Sequence, residues 1–239
     1  MAIAIKKDTS SGLIRLVDKI HWLGLEDFSA MFDIFAKEGI TNVVMAGQIS
    51  PMRLFSREIG SDPMLKEILS RLKYKKADMI FGAVAEKLKE KGFNLIGSAT
   101  FMEEYFPARG ALTVDSPKPE TWEDIRFGVD LAKAIGKLDI GQTVAVKDRV
   151  IVAVEALEGT DNLIRRAGKV SRGGFTLVKV SKPEQDNRFD IPVVGLGTVK
   201  NLVRTGAACL AIEAEKTLFI DKEESLRLAE KKKLVVVAV

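Results

Sequence analysis

Acids, bases and glycines crowd together between residues 150 and 195, where two apolar runs end. The first run, Val150–Val154, leads into Glu155-Ala-Leu-Glu-Gly-Thr-Asp161. The second run, Phe175–Val180, leads into a polar stretch from Lys182 to Pro192. Ligands of α/β sheets lie beyond the carboxyl ends of strands, so charge that follows an apolar strand predicts a site more strongly than charge on a helix face.

The acids of this stretch would repel one another unless a cation neutralised them. A Mg²⁺ ion takes one or two carboxylate oxygens together with water and substrate phosphate, and Lys and Arg side chains suit phosphate groups. A helix beginning near Asn162, capped by Thr160 or Asp161, would offer backbone N–H groups to an anion. The combination predicts phosphoryl or pyrophosphate chemistry. The acids are Glu155, Glu158, Asp161, Asp186 and Asp190, and the bases are Lys147, Lys179, Lys182, Arg165, Arg166 and Arg188.

Each of these residues also has an ordinary structural interpretation. The run from Glu158 to Asp161 is typical of a turn with a helix cap, and Arg165-Arg166 is typical of a solvated helix face. Spacing alone does not specify a metal site here as a Cys-x-x-Cys pair would. By themselves, the residues indicate an anion site and leave its ligand open.

Composition excludes few functions. The 239 residues carry a net charge of +4, which suits an anionic small molecule as well as a membrane surface or nucleic acid. The single cysteine, Cys209, excludes an internal disulfide, and its apolar setting predicts a buried inert thiol. No dinucleotide fingerprint or P-loop is present. The start lacks a signal-peptide run and no stretch of about 18 apolar residues occurs, so we expect a cytoplasmic protein.

Apolar periodicity predicts alternating strands and helices in the first half of the chain. This order is typical of a parallel sheet covered by helices on both faces. One predicted helix carries Phe28, Met31, Phe32 and Phe35 on one face, which forms either ordinary core or an apolar groove for acyl chains. Gly47–Pro51 is a predicted turn beyond a strand. The predicted strands are 2–5, 41–46 and 92–97, and the predicted helices are 25–38, 63–72 and 78–91.

A proline-rich stretch from Pro107 to Glu120 predicts a domain boundary. We therefore predict an α/β protein of two domains: a Rossmann-like parallel sheet with helices over residues 1–118, and a catalytic α/β domain over 119–239 that begins with a connecting helix, 120–136. Gly136 would end that helix, and a tight turn at Lys147–Arg149 predicts a hairpin. Further predicted strands are 208–213, 216–219 and 234–239, with helices at 198–205 and 222–232.

A set of motifs along nearly the whole chain resembles the LpxI-type UDP-2,3-diacylglucosamine pyrophosphatases. The motifs are Val43-Val-Met-Ala-Gly47, Phe127-Gly128, Leu138-Asp-Ile-Gly-Gln142, Val154 to Asp161, Gly173-Gly174, Lys179, Lys182-Pro183, Gln185-Asp186, Arg188-Phe-Asp190, Pro192, Gly195, Thr198-Val199 and Ile212-Glu-Ala214. The resemblance implies an enzyme of lipid A biosynthesis from a Gram-negative bacterium. It implies metal-dependent cleavage of UDP-2,3-diacylglucosamine to 2,3-diacylglucosamine 1-phosphate (lipid X) and UMP.

The resemblance also assigns roles. Asp190 is predicted as the essential catalytic acid, with Asp186 and Glu158 beside it. Mg²⁺ or Mn²⁺ is the expected cofactor, held by Asp190, Asp161 and Glu158. The predicted substrate-binding residues are Gly159, Thr160, Lys179, Lys182, Gln185, Arg188, Gly47 and Gln48. The expected partner is a lipid-linked UDP-sugar and not nucleic acid, with at most peripheral contact at the inner face of the inner membrane; a homodimer is left open.

The chain departs from the family at its start. Members usually begin with a strand and a Gly-Ser-Gly loop about 40 residues before the point that aligns with Ala2, so the first domain is expected to be truncated, with open sheet edges. Two other functions stay open: a non-catalytic binder or carrier of an acylated sugar phosphate, and a general nucleotide-sugar hydrolase.

Overall fold

The computed structural model describes residues 1–50, 53, 58–73 and 77–239. It divides into two compact units. The first comprises Met1–Ser98 together with the short segment Asp186–Asp190, and the second comprises Ala99–Gln185 and Ile191–Val239. Pro51, the last residue of the predicted turn after residue 46, lies outside the described residues.

The first unit contains the predicted strands and helices at the expected places. Its strands pair in parallel, β1 with β2 and β3 with β4, so parallel pairing is confirmed. In the described part of the chain the two pairs are separate ladders, whereas the periodicity predicted one sheet. The elements are β1 (Ala2–Ile5), β2 (Ile20–Leu23), α1 (Ala30–Lys37), β3 (Asn42–Val44), α2 (Pro63–Arg71), α3 (Ala77–Glu90) and β4 (Asn94–Ile96).

The aromatic face of α1 is core. Met31, Phe32 and Phe35 are buried, and Phe93 stacks on Phe32 and meets Phe35 edge-on, with ring centroids 6.1 and 5.4 Å away. Phe28 packs partly buried against the same cluster. Of the two interpretations of this face, the structure therefore supports the core and not the acyl groove.

The second unit is built on a six-stranded mixed sheet in the order β5-β12-β10-β8-β6-β7. β8, β10 and β12 are parallel, whereas β6 is antiparallel to both of its neighbours, so the carboxyl ends of β7 and β8 share one edge of the sheet. The strands are β5 (Gly110–Ala111), β6 (Thr143–Lys147), β7 (Val150–Val154), β8 (Thr176–Lys179), β9 (Val193–Val194), β10 (Cys209–Ile212), β11 (Leu218–Phe219) and β12 (Val235–Ala238).

Helices cover both faces of this sheet. On one face α4 packs through Ile125 and Ala132, and on the other α5, α6 and α7 bury an apolar core. The helices are α4 (Pro119–Lys137), α5 (Thr160–Ser171), α6 (Leu196–Arg204) and α7 (Lys222–Lys231). Over the described residues, no helix is long and apolar enough to cross a bilayer.

The prediction of a hairpin and the prediction that Gly136 ends the connecting helix have different outcomes. The hairpin is confirmed: β6 and β7 are joined by Asp148 and Arg149, both at positive φ (51° and 60°), which is the backbone of a type I′ turn. Gly136, in contrast, lies inside α4 and does not end it. A Cβ there would lie 3.4 Å from Pro183 Cδ, so the loop after β8 packs against the helix at this position.

Cys209 is buried in β10, as its apolar neighbours predicted. Burial raises the pKa of its thiol to about 12, with a smaller contribution from the carboxylate of Asp124. A thiol with so high a pKa is protonated at neutral pH and is a poor nucleophile. The structure thus gives Cys209 a packing role.

Candidate active site

Three polar side chains lie side by side at the shared end of β6, β7 and β8. Thr143 opens β6 and is the register partner of Lys179, the last residue of β8. Glu155 follows β7, and its backbone N–H donates to the carbonyl of Thr143 at 2.9 Å. Register partners point to the same face of an antiparallel pair. Thr143, Glu155 and Lys179 are all at least nine-tenths buried, so this edge of the core is charged.

Thr160, at the start of α5, joins the two buried charges. Its hydroxyl donates to Glu155 Oε1 at 2.6 Å and accepts from Lys179 Nζ at 3.0 Å. The second carboxylate oxygen of Glu155 accepts the backbone N–H of Gln142 at 3.3 Å. Burying opposite charges is tolerated when their hydrogen bonds are satisfied. Glu155, Thr160 and Lys179, called the polar triad below, form such an arrangement.

The first turn of α5 adds positive potential beside the polar triad. Gly159 is the N-cap residue at φ 78°, a left-handed conformation that favours glycine, and the helix begins at Thr160. The predicted side-chain cap by Thr160 or Asp161 is wrong, because the Thr160 hydroxyl bonds to Glu155 and no side chain caps the helix. The first N–H groups of a helix lack intrahelical partners and attract anions. Lys179 and this helix end together suit a phosphate group.

The loop after β8 is held by side chains. Lys182 donates its backbone N–H to Gln185 Oε1 at 2.8 Å, and its ammonium binds Asp139 Oδ1 at 2.8 Å. Gln185 also reaches Gln142 Oε1 at 3.5 Å. Three predicted substrate-binding residues, Lys179, Lys182 and Gln185, therefore belong to one ordered strand end and loop.

Glu158 and Asp161 have partners of their own. Arg166 donates to Glu158 Oε1 at 2.5 Å, and the N–H of Ala156 donates to its other oxygen at 3.2 Å. Burial opposes ionisation of Glu158, but its own backbone N–H and Arg166 outweigh burial and lower its pKa. Asp161 accepts from Asn201 Nδ2 of α6 at 2.9 Å. The two predicted metal ligands are surface carboxylates with different partners.

Lys147, one of the bases considered from the sequence, lies at the other end of the sheet. Its ammonium donates to the carbonyls of Ser171 and Gly173 at 3.1 and 2.9 Å, beyond the carboxyl end of α5. This position follows from the hairpin, because β6 runs antiparallel to β7 and β8. Lys147 therefore stabilises a helix end.

The first unit carries the remaining acids in the segment Asp186–Asp190. The N–H groups of Phe189 and Asp190 donate to the carbonyl of Asp186 at 3.2 and 2.9 Å, which closes a tight turn. Arg188 binds the Asp186 carboxylate through Nε and Nη2, at 3.0 and 2.7 Å. The Arg188 guanidinium lowers the pKa of Asp186. Asp190 is half-buried at the end of this turn.

The turn is fastened to the first unit by Ser98 and Phe81. Ser98 donates its N–H to the carbonyl of Asn187 at 3.2 Å and its hydroxyl to the carbonyl of Arg188 at 2.8 Å. The rings of Phe81 and Phe189 lie 5.9 Å apart. In the same unit, the predicted substrate-binding residues Gly47 and Gln48 are exposed beyond β3, with Gly47 at φ 86°.

A metal ion would find few ligands in either unit alone. Among the described residues, neither unit groups three or more His, Cys, Asp or Glu side chains as a ligand set. Mg²⁺ commonly uses only one or two carboxylates and takes its other oxygens from substrate phosphates and water. A site with only one or two protein carboxylates, such as that of Asp190, fits this mode of binding.

Two family models match the chain in succession: the LpxI N-terminal domain over residues 1–105 and the LpxI C-terminal domain over residues 108–237. The UDP-2,3-diacylglucosamine pyrophosphatase LpxI of Caulobacter vibrioides is 33% identical over 227 residues, covering 91% of this chain and 81% of that protein. The chain belongs to the LpxI family. The resemblance found in the motifs is thereby confirmed, as is the α/β class with two LpxI domains.

Two residues of this candidate site had no role assigned from the sequence. In the sequence Glu155 was one of several acids. Its contact with Thr160, which only the structure shows, distinguishes it from the others. Glu213, in the motif Ile212-Glu-Ala214, binds the N–H of Ser181 at 2.8 Å. The available signal was that each acid directly follows an apolar strand.

Proposed function

We propose that this LpxI-family chain is a hydrolase that splits the pyrophosphate of UDP-2,3-diacylglucosamine into 2,3-diacylglucosamine 1-phosphate and UMP. A water oxygen bonds to one phosphorus while the bridging P–O bond breaks, and the proton passes to a base or to solvent. The observation that carries the proposal is Lys179 beside the first turn of α5, an anion-binding arrangement in a chain that shares a third of its residues with a relative named for this reaction.

Asp190 is the proposed catalytic carboxylate. It would act by activating water or by holding the metal. Lys179 and the N–H groups after Gly159 would bind phosphate oxygens, since fixed positive charge stabilises the charge that develops on a phosphoryl group. Further proposed roles are catalytic support by Asp186 and Glu158, and substrate binding by Thr160, Lys182, Gln185, Arg188, Gly47 and Gln48.

A divalent cation, Mg²⁺ or Mn²⁺, is part of the proposal. When bound, it would neutralise the pyrophosphate and polarise its P–O bonds. Asp190 is the first proposed ligand, with Glu158 and Asp161 as further ligands. Glu158 and Asp161 already accept hydrogen bonds in this structure, so a metal ion bound by them would share these carboxylates with Arg166 and Asn201.

The proposed substrate is an amphiphile, and its acyl chains belong to a membrane. We therefore propose a cytoplasmic enzyme that meets its substrate at the inner face of the inner membrane by peripheral contact. Sedimentation with vesicles that contain phosphatidylglycerol measures this contact. Protein that stays in the supernatant with substrate-loaded vesicles would contradict it.

The direct test is release of UMP from UDP-2,3-diacylglucosamine by purified protein with Mg²⁺ or Mn²⁺. Asp190→Asn is expected to lower kcat at least about 10³-fold, because one essential charged group at a reacting centre contributes on this scale. Circular dichroism and thermal unfolding of the variant should match those of the parent protein.

Two other results would each favour a different function. Tight binding of the substrate without UMP release indicates a carrier of acylated sugar phosphates. Equal turnover of UDP-N-acetylglucosamine, which has no long acyl chains, indicates a general nucleotide-sugar hydrolase.

A further inference from the structure

Ser181 lies between Lys179 and Lys182, and both of its backbone groups are bound by side chains. Its N–H donates to Glu213 Oε2 at 2.8 Å, and its carbonyl accepts from Lys133 Nζ at 2.8 Å. One residue earlier the sheet ladder still continues, because the N–H of Val180 donates to the carbonyl of Gln142 at 3.0 Å. Where the loop begins, at Ser181, the backbone groups therefore bind side chains and no longer a neighbouring strand.

Glu213 and Lys133 are also bound to each other, at 2.5 Å. They come from different elements: Glu213 follows β10, and Lys133 lies on α4. Their side chains are only 15% and 28% exposed, so solvent weakens the contact less than it weakens a surface ion pair. The pair, called the Ser181 clamp below, ties the carboxyl ends of two strands to a helix.

The clamp acts on a loop that is restrained on its other side as well. Where Gly136 lies on α4, one turn beyond Lys133, a Cβ would be 3.5 Å from Lys182 Cα, so the helix and the loop are in close contact. The N–H of Glu213 donates to the carbonyl of Lys179 at 3.2 Å. Movement of Ser181 would therefore displace Lys179 and Lys182 together.

We propose that Glu213 and Lys133 are positioning residues, which fix the backbone at Ser181 so that the ammonium groups of Lys179 and Lys182 are set for the pyrophosphate. This inference rests on the proposed function. Neither Glu213 nor Lys133 is placed on the substrate: they act through Ser181. The rival explanation is that the clamp contributes only to stability of the fold.

The first experiment needs no turnover. Lys133→Met keeps the length of the side chain but removes the donor to Ser181 and one of the cations on Glu213. Hydrogen exchange of the peptide that contains Ser181 should be at least about fivefold faster in the variant, the factor expected from loss of about one hydrogen bond. Unchanged exchange at Ser181 would overturn the proposal.

Lys216→Met is the matched control. Lys216 binds the other carboxylate oxygen, Glu213 Oε1, at 2.9 Å and is 58% exposed. The Lys216→Met substitution removes one cation from Glu213 and leaves both backbone hydrogen bonds of Ser181 in place. Exchange at Ser181 and UMP release should both stay within about twofold of the parent protein, as for exposed ion pairs in general.

The second experiment follows UMP release per folded molecule. A displacement of about 1 Å in a positioned group costs about 100-fold, so kcat/KM of Lys133→Met should fall about 10–100-fold, and Lys133→Arg should recover part of the loss. A merely structural clamp would lower the melting temperature and leave kcat/KM of the folded fraction unchanged, which would overturn the proposal.

Failure of the proposed function gives a different result. In that case the parent protein itself releases no UMP. Binding of inorganic pyrophosphate, measured by calorimetry, then replaces the kinetic assay: weaker binding by Lys133→Met than by Lys216→Met supports positioning, and equal binding overturns it.

Discussion

At the scale of single residues, the hydroxyl of Thr160 has the least replaceable position. It lies between a buried carboxylate and a buried ammonium, donating to the first at 2.6 Å and accepting from the second at 3.0 Å. A hydroxyl can do both, whereas a methyl group of similar shape can do neither. One oxygen atom therefore joins the two charged side chains at this edge of the sheet.

Thr160→Val should lower the free energy of unfolding by about 1–3 kcal/mol, because it removes one hydrogen bond from each of two buried polar groups, Glu155 and Lys179. It should also lower kcat/KM for UMP release, since the ammonium of Lys179 loses one of the contacts that hold it in place. Thr160→Ser, which keeps the hydroxyl, is the control and should retain most of both quantities. Denaturant unfolding and steady-state assays measure them; a Val variant as active as the Ser variant would contradict this account.

Lys179→Met tests the pairing of charges. Lys179 and Glu155 are buried opposite charges joined through the Thr160 hydroxyl, and removing one of two buried opposite charges costs up to about 3–5 kcal/mol. We expect Glu155→Gln, added to Lys179→Met, to recover part of this loss because it removes the isolated charge. Urea unfolding of the two single variants and the double variant gives the coupling energy. Strictly additive effects would show that the two side chains do not interact.

Stability should also respond to pH through Glu213. Burial alone would raise the pKa of this carboxyl, but Lys133, Lys216 and the N–H of Ser181 outweigh burial and hold the pKa below its ordinary value of 4.5. A lowered folded-state pKa contributes stability above the ordinary value, and this contribution is lost as the pH falls through the folded-state pKa. The difference in unfolding free energy between the parent protein and Lys133→Met should therefore be larger at pH 7 than below about pH 4. If the two proteins differed in unfolding free energy by the same amount at both pH values, this role of Glu213 would be contradicted.

At the scale of elements, α4 lies unusually close to β8. A Cβ at Gly128 would be 2.6 Å from Val178 Cγ2, which is closer than packed side chains allow. Val178 is buried and β-branched, so it cannot rotate away. The glycine in the Phe127-Gly128 motif is therefore explained by helix–sheet packing.

Gly128→Ala should destabilise the protein by about 0–2 kcal/mol, because overpacking costs about 1–3 kcal/mol and is offset by a gain in helix propensity of about 1 kcal/mol. Gly197→Ala in α6 is the matched control, since a Cβ there meets nothing within 4 Å, and it should be neutral or stabilising. Thermal unfolding of the two variants measures the difference. Equal melting temperatures would show that α4 can move away from the sheet.

Sequence periodicity predicted most of the elements but not their contacts. The hairpin at Lys147–Arg149 was predictable because its turn is local. That Asp124 of α4 accepts the N–H groups of Asp148 and Arg149, at 3.2 and 2.6 Å, was not predictable, since the partners are 24 and 25 residues apart. The same holds for the Ser181 clamp, whose members are 80 residues apart. Pattern and spacing indicate where a strand ends, whereas only tertiary structure shows which side chains meet there.

At the scale of the whole molecule, the net charge of +4 suits an anionic substrate. Long-range attraction of exposed charges falls off within about 8–10 Å at physiological salt. We expect kcat/KM for the UDP-linked substrate to fall as salt rises, while kcat changes little. The comparison requires substrate in uncharged detergent micelles, so that salt does not alter its presentation. A rate independent of salt would show that only buried charges act on the substrate.

Metal binding also concerns the whole chain, because nowhere among its described residues do three or more His, Cys, Asp or Glu side chains cluster as a ligand set. If the cation takes most of its oxygens from pyrophosphate and water, the protein without substrate should bind Mg²⁺ only weakly, at about the millimolar level seen for sites with few protein ligands. Added UDP should tighten this binding in calorimetry, and chelation by EDTA should abolish UMP release until Mg²⁺ or Mn²⁺ is restored. Asp190→Asn should remove the effect of UDP on Mg²⁺ affinity. Micromolar Mg²⁺ binding by the substrate-free protein would require a preformed carboxylate site and would contradict this mode of metal binding.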